Sequence, residues 1–113
     1  MAIRKLEKKE WEPFFDALSA QSRAQSVEIE VLSPALGAQF EGRSIPLVGL
    51  SYDPRDDALD VVSKELDHRI SAPAEIYIDE TSLGLQSLEV VTADGVKQIL
   101  RFAPVLQLSA AIR

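Results

Sequence analysis

The chain carries a single histidine, and His68 directly follows Asp67. An imidazole titrates near neutrality and moves protons when a carboxylate orients it, so this is where general acid–base chemistry could be built. Neighbours in a strand point to opposite faces, however, and Asp67 could instead cap a short turn. The simpler reading makes His68 a hydrogen-bonded ring lining the core beside Leu66 and Ile70. A second pair, Asp79 and Glu80, closes an alternating run. Two carboxylates serve glycoside hydrolysis or hold a metal when they converge across a cleft. Adjacent ones would need Asp67 or His68 brought beside them to form a mixed oxygen–nitrogen site. Asp67, His68, Asp79 and Glu80 are therefore the candidate catalytic residues.

Asp53, Asp56, Asp57 and Asp60 form the densest acidic cluster and are the candidate metal ligands. Hard cations such as calcium or magnesium take oxygen ligands, and a turn can converge several. The spacing does not follow the EF-hand, which needs glycine at its sixth place and glutamate at its twelfth. A solvated turn is the simpler reading. Nothing points to a cofactor. The absence of cysteine excludes thiolate nucleophiles, disulfides, iron–sulfur clusters and thiolate zinc sites. Gly49-Leu50-Ser51-Tyr52-Asp53 has only the first glycine of a nucleophile elbow, and no phosphate-cradling glycine motif occurs.

These residues must be positioned by one helix and a set of strands. Trp11, Phe14, Phe15 and Leu18 recur at i, i+3, i+4 and i+7, one face of a helix. Pro13 belongs in a first turn, so the spacing predicts a helix from Glu10 or Trp11 to about Ser22 or Arg23. The basic run Arg4, Lys5, Lys8 and Lys9 reads as its solvated start rather than as a nucleic-acid contact. Val27, Ile29 and Val31 alternate with Glu28 and Glu30, a half-buried strand. Gln39 to Glu41 is expected as a short edge strand with Phe40 inward, and Ile45 to Tyr52 as the next strand. Asp53-Pro54-Arg55-Asp56 is a turn, with Asp53 placed to accept from the turn amides. Ala58 to Ser63 returns antiparallel.

The segment Leu66 to Ile70 fits either a helical turn or a strand. Glu75 to Asp79 is a strand with Ile76 and Ile78 inward. Ser87 to Thr92 and Val96 to Phe102 flank Ala93-Asp94-Gly95, a strong hairpin signal. Pairing Leu88 and Val90 with Phe102 and Leu100 gathers the apolar residues and calls for a bulge at Gly95, whereas a strict two-residue turn pairs them differently. The expected fold class is α+β and mainly β: the helix packed on a five- or six-stranded antiparallel sheet or small barrel. No second helix is long enough to be the crossover that parallel strands require.

The 113 residues suit a single domain spanning 1–113. The balance of 12 Lys+Arg against 18 Asp+Glu, net −6, repels phosphate backbones and opposes nucleic-acid binding. No apolar run resembles a signal peptide or a membrane span, and a cytoplasmic location is expected by elimination. Val105 to Arg113, with Leu106, Leu108 and Ile112, is apolar enough to add an edge strand or to meet a second copy or a protein partner.

The run of residues also resembles a known family. Met1 to Leu6, Glu10-Trp11 to Phe15, Pro46 to Leu50 with Tyr52-Asp53-Pro54 and Asp56-Asp57, Leu66-Asp67-His68, Glu75 to Glu80, and Leu88 to Val91 with Asp94-Gly95 are similar to short bacterial proteins catalogued as the domain of unknown function DUF5335. The family brings no activity to carry over. The layout further resembles Sm-like and SH3-like barrels, an analogy of fold that transfers no function. The function expected is an interaction or scaffold module without catalysis. The alternatives are a small enzyme or divalent-cation-binding protein using His68 with nearby carboxylates, and Sm-like nucleic-acid binding, which the net charge opposes.

Overall fold

The structure, a computed structural model, describes residues 2–20, 25–82 and 84–104. In chain order the elements are β1 (Ala2–Leu6), α1 (Lys8–Ser19), β2 (Gln25–Ser33), β3 (Gly37–Asp53), β4 (Ala58–Ser63), β5 (Asp67–Ser71), β6 (Pro73–Thr81), β7 (Gly84–Thr92) and β8 (Lys97–Pro104).

The helix begins earlier than its proline suggests. Glu7 sits at the N-cap, its N–H donates to the Glu10 carboxylate at 2.8 Å, and Glu10 N–H donates back to the Glu7 carbonyl at 2.8 Å. This reciprocal pairing satisfies donors that the first turn leaves orphaned. It also holds the Glu10 carboxyl below its ordinary range, the backbone bond to Glu7 being the largest cause. Pro13 consequently falls in the second turn, where no N–H is available for the Lys9 carbonyl. α1 ends at Ser19; the expected continuation to Ser22 or Arg23 falls outside the described residues.

The expected face does bind the sheet. Trp11 and Phe15 are buried, and Phe14 and Leu18 pack on the core half-buried. The Trp11 ring meets Tyr52 of β3 edge-on with centroids 5.1 Å apart, and its Nε1–H donates to the Leu6 carbonyl at 3.3 Å. At the far end the Ser19 hydroxyl ties α1 to β3, accepting from Leu50 N–H at 2.9 Å and donating to the Leu50 carbonyl at 2.5 Å.

Among the described residues eight strands, not five or six, form one sheet in the order β1-β6-β7-β8-β2-β3-β4-β5, and neighbours are antiparallel throughout. The sheet is open: no ladder joins β5 back to β1 among the described residues, so the expected small Sm-like or SH3-like barrel does not form. Two segments account for the difference. Arg4 and Lys5 of the basic run lie in a strand, Ala2–Leu6, that pairs with β6, whereas Lys8 and Lys9 do start the helix. Asp67–Ser71 is also a strand, and the chain leaves it for β6 through Ala72 alone. Ala72 takes a left-handed φ of 54°, held by its N–H on the Asp57 carbonyl and its own carbonyl on Ala93 N–H, both 2.9 Å. That corner sends β6 to pair between β1 and β7 instead of alongside β5, which leaves both ends of the sheet as edges.

β3 is one strand of 17 residues, not two. Its first half pairs with β2 and its second with β4. Irregular register near Gly42 turns Phe40 outward, against expectation, where Arg43 stacks on its ring at 3.8 Å. The β7–β8 hairpin also differs from the expected pairing. Leu88 faces Leu100 and Val90 faces Gln98, two residues away. The reason is the turn: Thr92 N–H donates to the Val96 carbonyl and Gly95 N–H to the Thr92 carbonyl, both 2.9 Å, with Gly95 at φ 87°. This three-residue loop with a left-handed glycine is too short for the looser register.

Candidate functional site

The acidic cluster is built by the β3–β4 turn. Asp53 Oδ1 accepts from the N–H groups of Arg55 at 2.9 Å and Asp56 at 3.3 Å, as the turn pattern requires. Asp60 follows on β4, directly opposite Arg69 of β5. The guanidinium grips Asp60 with two bonds, Nε to Oδ1 at 2.7 Å and Nη2 to Oδ2 at 3.0 Å. Nη1 reaches Asp56 at 3.2 Å, and Nη2 lies 3.9 Å from Asp53. Its hydrogen bonds to Asp60 and then to Asp56 raise the Arg69 pKa further. Three of the four candidate metal ligands thus surround a cation that belongs to the chain. The fourth, Asp57, sits at φ 51° and accepts the Tyr52 hydroxyl at 2.6 Å. Burial, with help from this bond to Asp57, pushes the Tyr52 phenol up to about 12.

His68 shares a face with buried Ile70, and its Nε2 lies 2.6 Å from Gln98 Oε1 on β8. Asp67 points to the other face and is exposed. The two border an open depression of about 390 Å³ with Ser51, Asp60 and Arg69. A neutral imidazole that donates Nε2–H to Gln98 keeps only Nδ1 as an acceptor. Asp79 and Glu80 lie on β6, separated from β5 in the sheet order by β7, β8, β2, β3 and β4. Glu80 is 3.8 Å from Arg4. Asp79 Oδ1 is sealed from solvent and has no hydrogen-bond partner among the described residues.

The structure therefore gathers Asp53, Asp56 and Asp60 around Arg69 and engages His68 with Gln98. It keeps Asp79 and Glu80 on another strand. Among the described residues no group of three or more histidine, aspartate or glutamate side chains is arranged to hold a metal ion. Arg69 and Gln98 escaped sequence reasoning. Arg69 was within reach, because an antiparallel return of the Ala58–Ser63 strand onto the next segment through a short connection can set it against Asp60, as the observed register does. Gln98 carried no signal, since only the packing of β5 near β8 makes it a partner of His68.

The described residues form an open antiparallel α+β fold with one helix and an arginine-centred acidic turn. The chain belongs to the family of unknown function DUF5335, whose family model matches residues 2–111. A relative from Aquifex aeolicus (strain VF5), described as an uncharacterized protein, is 40% identical over 109 residues, covering 96% of this chain and 98% of the relative. No solved structure matches. Among the described residues no helix is long and apolar enough to cross a membrane.

Proposed function

We propose that the chain is a small cytoplasmic interaction module without catalysis, which self-associates or binds a protein partner through its C-terminal segment. That segment, residues 105–113, lies outside the described residues. The observation that carries the reading is a sheet left open at both ends. β1 pairs only with β6 and β5 only with β4 among the described residues, so each offers unpaired backbone groups on one side. Exposed strand edges are templates for an added strand. Large apolar side chains also stand in water: Ile3 is 65% exposed, Leu36 68%, Val48 62% and Phe40 42%. Asp53, Asp56, Asp57, Asp60 and His68 hydrogen-bond to neighbours within the chain, which supports a structural role for these five.

The test is mass in solution by light scattering for the full chain and for a chain ending at Pro104. The full chain should exceed its monomer mass of 12.4 kDa and the shortened one should return to it, with the same far-ultraviolet spectrum. A full chain that stays monomeric at every concentration would overturn self-association. Retention of the larger mass without residues 105–113 would move the interface elsewhere.

A further inference from the structure

Ile3, Asp79 and Ser87 stand in register across β1, β6 and β7. They lie on the face opposite the buried Ile76 and Ile78. A depression of about 190 Å³ opens there, walled by Ile3, Tyr77, Asp79, Ser87 and Glu89. The carboxylates around it come with cations. Glu75 has Lys5, Glu80 has Arg4, Glu89 has Lys97, and Glu28 and Glu30 share Arg101. Asp79 differs: its Oδ1 is shielded from water, and no donor reaches it among the described residues. A shielded carboxylate oxygen without a donor is unfavourable, and native structures rarely keep one without a use. The register between β6 and β7 shifts between Asp79 and Glu80, a local irregularity of the kind that re-aims side chains beside binding sites.

We propose that this depression receives a basic side chain, an ammonium or guanidinium group presented by a protein partner, with Asp79 as its charge acceptor. The cation pairs with the Asp79 carboxylate at the wall of the depression, and its alkyl stem lies against Ile3 and the Tyr77 ring. Arg101, on the strand beyond Ser87, is already held by Glu28 and Glu30 and does not compete. The net charge of −6 favours the approach of a basic partner. The assignment rests on the interaction reading and adds the chemistry of the partner.

The full chain, labelled with nitrogen-15, is titrated with n-butylammonium, n-propylguanidinium and, as the neutral counterpart, n-pentanol. The cations should shift the amide signals of Ile3, Tyr77, Ser87 and Glu89 saturably, with a dissociation constant on the order of 1 mM. Pentanol should not. Asp79→Asn should weaken cation binding about tenfold or more while leaving the rest of the spectrum in place, and Glu75→Gln should retain it. Shifts that persist in Asp79→Asn, that spread over every acidic side chain, or that fail to saturate overturn the proposal. So does the same pattern produced by calcium alone. The light-scattering test reads residues 105–113 and this titration reads Asp79, so either can fail while the other stands.

Discussion

Replacing Ser19 by alanine isolates the link between helix and sheet. The Ser19 hydroxyl makes two bonds to one residue, accepting from Leu50 N–H at 2.9 Å and donating to its carbonyl at 2.5 Å. Leu50 itself is buried, 2% exposed, in the strand against which α1 packs. Alanine removes both bonds and leaves a part-buried donor and acceptor facing a methyl group. A typical bond contributes about 1 kcal/mol net, and each orphaned group adds its desolvation penalty, so the loss should be about 2 kcal/mol. For a chain of this size that lowers the melting temperature by roughly 8 °C. Ser26→Ala is the control. Its hydroxyl reaches the Ala103 carbonyl at 3.4 Å in an exposed position, and its loss should cost less than about 0.5 kcal/mol. Calorimetric melting of the three proteins at one pH reads the difference directly. If the two serine variants melt within a degree of each other, the hydroxyl does not hold the helix and the reasoning is wrong.

Pro13→Ala restores a donor for the Lys9 carbonyl inside α1 and should stabilise the protein by about 1 kcal/mol or more, seen as a higher denaturation midpoint in urea; a lower midpoint would mean that the fixed proline backbone matters more than the missing bond. The Tyr52 phenol, pushed up to about 12 from an ordinary 10.0, should be the later of the two tyrosines in an ultraviolet titration where the fold survives. Because its folded pKa is the higher one, its contribution to stability is complete below about pH 10 and is lost as pH rises towards 12. Asp57→Asn should move that titration downward, and an unchanged value would dismiss the role given to the Asp57 bond. Arg69→Gln leaves Asp53, Asp56 and Asp60 without their shared cation. The variant should melt lower than the parent and should alone gain melting temperature from millimolar calcium, whereas an equal calcium effect on both proteins would show that Arg69 does not occupy the cluster.

The sequence alone determined the pieces whose causes are local. The spacing of Trp11, Phe14, Phe15 and Leu18 located the helix face, because a 3.6-residue period needs no knowledge of what it packs against. Asp53-Pro54 identified its turn, and the Ala58–Ser63 strand has the bounds its alternation suggested. The family resemblance carried by Tyr52-Asp53-Pro54, Asp67-His68 and Asp79-Glu80 holds over residues 2–111. Tertiary structure decided what depends on partners distant in the chain. Ala2–Leu6 is a strand only because β6 is there to pair with it, and no local pattern in five residues signals that. Closure into a barrel failed at Ala72, where a single residue of left-handed backbone redirects the chain. The Leu88–Leu100 pairing was set by the geometry of the turn at Gly95, not by the greatest gathering of apolar residues. The candidate site divides in the same way. Residue types singled out the carboxylates and the histidine, but charge neutralisation by Arg69, the engagement of His68 by Gln98 and the isolation of Asp79 Oδ1 arise from cross-strand neighbours. Those neighbours exist only once strand order and register have been chosen.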